Sequence, residues 1–73
     1  MIDIARLKKE DVGRWVLYEP AHRTSEKGKI KSWNEHWIFV VYHCAGDWKN
    51  FQDYTGAATS PTELRFTSAE EKI

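Results

Sequence analysis

The stretch from Gly28 to Cys44, Gly-Lys-Ile-Lys-Ser-Trp-Asn-Glu-His-Trp-Ile-Phe-Val-Val-Tyr-His-Cys, constrains the fold more than any other part of the chain. A run that alternates charged and apolar residues is followed by an unbroken apolar and aromatic run, the pattern of two antiparallel strands joined at a tight turn. Asn34-Glu35 supplies that turn, because Asn accepts the left-handed conformation. A period of two puts Lys29, Lys31 and Trp33 on one face of the first strand and Ile30 on the other. The second strand, His36 to Cys44, carries Trp37, Phe39 and Val41 on one face and Ile38, Val40 and Tyr42 on the other, and is expected at the centre of the sheet.

The remaining elements wrap this hairpin. Residues 1–10 carry Ile2, Ile4 and Leu7 among charges, a spacing that fits a short strand or a helical turn equally, and are set apart as an N-terminal extension. Lys8-Lys9-Glu10-Asp11 forms a single turn stopped by Gly13. Arg14 to Glu19 is a strand with both faces partly covered and Val16 pointing inward; Pro20 ends it. A polar loop, Ala21 to Lys27, follows. Ala45 to Asp53 is a loop bearing Trp48 and Phe51, and Tyr54 to Thr59 is a short strand in which Gly56, Ala57 and Ala58 leave room for a bulky neighbour. Ser60-Pro61-Thr62-Glu63 has the form of a single helical turn, with Pro first and Glu three after Ser. Leu64-Arg65-Phe66 closes the sheet, and residues 68–73 form a charged C-terminal tail.

The pattern predicts an all-β domain over residues 11–67: a small partly open barrel of about five short antiparallel strands with a single helical turn before the last strand. A chain of 73 residues buries only about 60% of its unfolded surface, and its ten aromatic residues supply the core density that so short a chain needs.

In Asp11-Val12-Gly13-Arg14-Trp15-Val16-Leu17-Tyr18, Gly28 to Asn34, Phe39-Val40-Val41-Tyr42 and Pro61-x-x-Leu64, the chain resembles the SH3-like barrels of the KOW and Tudor type. It also resembles small uncharacterised proteins of phage and prophage genomes. The resemblance implies a fold and says little of function, since such barrels host many unrelated activities.

Composition narrows the function. Eleven basic residues balance eleven acidic ones, so no global field favours a polyanion and nucleic-acid binding needs a local patch. The same balance makes colloidal repulsion weak, which leaves a homo-oligomer open. The single cysteine cannot form an intramolecular disulfide, and no apolar run reaches the length of a membrane span, so a cytoplasmic protein without membrane attachment is expected. Neighbouring strand residues point to opposite faces, so His43 does not serve Cys44 as a base, and one Cys with His22, His36 and His43 lacks any paired metal-ligand spacing. Asp47, Asp53 and Glu63 fit turn chemistry, and the four glycines are scattered. No enzyme, cofactor or metal site is expected.

Three binding readings remain. The first is a protein–protein interaction module that docks a partner through an exposed aromatic patch; the phage-like resemblance implies an accessory role on a host partner. The second is KOW-like nucleic-acid binding through Lys29, Lys31 and Trp33, joined by Arg14. The third is a Tudor-like aromatic cage for a cationic group, drawn from Trp33, Trp37, Trp48, Phe51 and Tyr54, with Asp47 or Asp53 as the carboxylate. Protein binding leads because it needs the least special chemistry.

Overall fold

A computed structural model describes residues 1–44 and 46–68. Five antiparallel strands, β1 (Trp15–Tyr18), β2 (Glu26–Trp33), β3 (Ile38–Val41), β4 (Ala57–Thr59) and β5 (Leu64–Phe66), form one open sheet in the order β4-β3-β2-β1-β5. The domain is small and all-β, with only short 3-10 turns between strands. No helix among the described residues is long and apolar enough to cross a membrane. The expected tail, residues 68–73, lies outside the described residues from 69 onward.

β2 is the central strand, not β3, because β1 returns onto its other side: Trp15 pairs with Lys29 and Leu17 with Lys27. β2 is also longer than the sequence suggests. It takes in Glu26 and Lys27, which the polar composition assigned to a loop.

The two faces of the sheet carry separate apolar clusters. Val16, Ile30, Ile38, Val40 and Leu64 form the main core with Ile2, and Tyr18, Trp33, Tyr42 and Phe66 pack around it. The first ten residues therefore do not stand apart: Ile2 is buried in this core, and its N–H donates to the Pro61 carbonyl at 2.9 Å. Val41, Cys44 and Phe51 make the second cluster on the opposite, outer face, with Val12, Trp48 and Tyr54 against it.

Between Ile30 and Ser32 the register of β2 on β3 shifts. Lys29 pairs with Val41 and Ile30 with Val40, but Ser32 pairs with Phe39 and Trp33 with Ile38. One extra residue, Lys31, is accommodated as a bulge, and alternation reverses beyond it. Trp33 thereby joins Ile30 on the core face, and Lys29, Lys31 and Trp33 do not share a side.

The turns follow the local chemistry. Asn34 Oδ1 accepts hydrogen bonds from the His36 and Trp37 N–H groups, both at 2.8 Å, which places Trp37 in the turn and not in β3. Gly13 takes a φ of 89°, ending the 3-10 turn at Lys9–Asp11 so that its N–H reaches the Ile30 carbonyl at 2.8 Å. Pro61–Glu63 forms the turn between β4 and β5, as its sequence predicts.

Candidate functional site

The outer face of β1 and β2 gathers aromatic rings and amines. Val16 faces the core, so the period of two turns Trp15 and Leu17 outward. Across the ladder, Lys29 lies opposite Trp15 and Lys27 opposite Leu17. Both ammonium groups fold over the Trp15 ring, Lys27 Nζ at 5.1 Å and Lys29 Nζ at 5.0 Å from its centroid. Lys29 Nζ also stands 5.3 Å from the Phe51 ring. Each such contact is worth about 0.5–1 kcal/mol at a partly exposed site.

A second indole completes the patch. The segment after Cys44 closes as a 3-10 turn, Trp48–Asp53, whose start is tied by Asn50 Nδ2 donating to both Asp47 carboxylate oxygens at 3.1 and 3.2 Å. Phe51 is buried and anchors the turn against Val41 and Cys44. The turn thus carries Trp48 to Trp15, with ring centroids 4.7 Å apart and planes tilted by 59°. That tilted geometry suits two ring quadrupoles and leaves both indoles half-buried, with part of each open to solvent.

Among the described residues, Lys29 forms no ion pair. Among these residues its charge lies over the Trp15 and Phe51 rings. Lys31, by contrast, is engaged: its ammonium donates to the Tyr54 carbonyl at 2.7 Å, tying the bulge to the segment before β4.

Of the residues expected from sequence, Lys29, Trp48 and Phe51 come together, with Tyr54 against the same cluster. Trp33 packs on the opposite face, and Trp37 lies in the hairpin turn, 46% exposed. The five rings proposed for a cage are therefore not gathered in one place. Arg14 does not join Lys29 either. Its guanidinium lies 3.8 Å over the Phe66 ring and bonds Asp11 Oδ1 at 3.0 Å. Trp15 and Lys27 were missed: Trp15 was legible from the outward phase of β1, whereas Lys27 was hidden by the polar run that assigned it to a loop.

A separate recess, a cleft of about 480 Å³, is lined by Ile2, Arg6, Leu7, Arg14 and Phe66 among others. Both of its arginines are already paired. Arg6 reaches Asp3 at 3.7 Å and Arg14 bonds Asp11, whose carboxyl is held below its ordinary pKa by the Lys8 backbone N–H and then by Arg14. Cys44 is buried within the second cluster, and His43 is turned out toward Glu26, 3.7 Å away. Comparison with protein-family models, with curated proteins and with solved structures returned no match for this chain.

Proposed function

We propose that this chain is a non-enzymatic protein-interaction module, an SH3-like partly open barrel whose partner seats on the outer face of β1 and β2. The strand order β4-β3-β2-β1-β5, with a helical turn between β4 and β5, supports the SH3-like reading. One observation carries the functional one: the half-exposed Trp15–Trp48 pair flanked by Lys27 and Lys29. Indoles that keep one side wet while fixed on the other give large contact area at small entropic cost, the trait of binding hot spots.

Nucleic-acid binding is the second reading, since amines beside stacked rings also suit a single strand. It is favoured less, because Lys31 is spent on the Tyr54 carbonyl, Trp33 faces the core, and the chain has no net charge.

Selection of a random peptide library on the immobilised full-length chain tests the proposal. Enriched peptides should bind the wild type and bind Trp48→Ala about 30-fold more weakly, the effect of losing one hot-spot ring, with far-UV circular dichroism confirming that the variant is folded. A failure to enrich any peptide, or enriched peptides indifferent to Trp48→Ala, would contradict it.

A further inference from the structure

We infer that the outer face recognises an extended acidic segment, with two carboxylates at alternate positions set on Lys27 and Lys29 and an apolar side chain against Trp48. This rests on the protein-interaction reading above and specifies its partner.

Three features of the face lead there. Lys27 and Lys29 are two positions apart on one strand, so their stems rise from one side about 6.8 Å apart, the repeat of alternate side chains along any extended peptide. An extended partner lying along β2 presents every second residue at that same interval. The two stems therefore match the repeat of such a partner, and both ammonium groups lie over the one Trp15 ring between them.

The second feature is an uncompensated charge in a fixed place. Lys29 Nζ sits between the Trp15 and Phe51 rings and has no carboxylate among the described residues. Rings hold a cation without neutralising it, so an incoming carboxylate gains an ion pair while little side-chain freedom remains to be lost.

Third, the surroundings select discrete carboxylates over a continuous chain of phosphates. Asp47 and Asp53 are exposed at the two ends of the Trp48 turn. A polyanion tracking across the turn meets their like charge at both ends, whereas a partner with an apolar residue toward Trp48 places no charge on the turn itself. The apolar ground is present as well: Leu17 and Val41, the partners of Lys27 and Lys29, are both buried on this face beneath the amines.

Fluorescence anisotropy on the full chain tests the inference with three labelled probes: a ten-residue peptide containing Leu and Glu-Val-Glu, its Gln-Val-Gln twin, and a ten-nucleotide oligo-thymidine. The acidic peptide should bind up to about 25-fold more tightly than its twin, the product of two ion pairs each worth up to about fivefold, and the preference should shrink with added salt. Lys29→Gln should reduce that preference about fivefold and leave the twin unaffected. Equal binding of the two peptides, with both lost in Trp48→Ala, overturns the acidic partner and leaves the interaction module standing. Absence of binding by either peptide overturns the acidic partner alone, the module being judged separately by the library selection. Tighter binding of the oligonucleotide than of the acidic peptide overturns both.

Discussion

Gly28 lies in β2 opposite Val16, where a side chain has no room. A Cβ there would meet the Val41 carbonyl oxygen at 2.6 Å, Val40 Cγ1 at 2.7 Å and Tyr42 Cδ1 at 2.9 Å. One of these neighbours is core, one is a ring packed against it and one is backbone, so none can yield cheaply. Gly28→Ala should lower the unfolding free energy by about 2 kcal/mol, read as a drop in the denaturant midpoint at unchanged m-value. A midpoint within experimental error of wild type would refute that packing. Two ionisable side chains couple folding to pH. Folding holds the Asp11 carboxyl below its ordinary pKa of 3.8, so its contribution is complete above that value and is lost as pH falls through the lower, folded value. Burial pushes the Tyr42 hydroxyl up from 10.0 to about 12, opposed by its 2.9 Å hydrogen bond with Thr59 Oγ1. Folding therefore favours the neutral phenol, and stability from this group is full below pH 10 and is lost as pH rises toward 12. Thermal melts against pH should show both limbs. Asp11→Asn should flatten the acid one, and Tyr42→Phe the alkaline one.

Elements were legible where a local pattern fixed them, and illegible where a pairing partner did. The strands over β1, β2, β3 and β5, the Lys9–Asp11 turn ended by Gly13 and the Pro61–Glu63 turn follow from alternation and turn residues. The bulge at Lys31 does not, because Lys-Ile-Lys-Ser-Trp satisfies a period of two by itself and only the register on β3 breaks it. That single residue moved Trp33 from the expected binding face into the core. The 3-10 turn at Trp48–Asp53 was equally hidden: Gly46, Asp47 and Asn50 announce a loop, while its order comes from Phe51 finding Val41 and Cys44. Phe51 is thus the keystone of the candidate site. Phe51→Ala should cost about 3 kcal/mol, measured by chemical denaturation, and should also free Trp48 from Trp15, seen as a red shift in tryptophan emission. A stability loss without any change in emission would mean that the turn holds its place without Phe51.

At the scale of the whole molecule, the Cα radius of gyration of 11.3 Å matches the roughly 11 Å of a single compact domain of this length. The N-terminal segment is therefore part of the body, closing one end of the core through Ile2 while the Trp48 turn covers part of the opposite face. The molecule divides its aromatic residues between these sides. Tyr18, Trp33, Tyr42 and Phe66 surround the core, whereas Trp15, Trp48 and Phe51 build the outer patch with the two lysines. This division is what seven of the ten aromatic residues accomplish in a chain too short for an aliphatic core alone, and it leaves two indoles half-exposed on one side. The four tryptophans report it directly, because their indole N–H signals are few and resolvable by ¹H–¹⁵N correlation spectroscopy. On titration with a peptide selected from the library, the Trp15 and Trp48 indole signals should move together while those of Trp33 and Trp37 stay in place; movement confined to Trp33 or Trp37, or to the backbone signals of Arg6, Arg14 and Phe66, would contradict the outer face as the binding site.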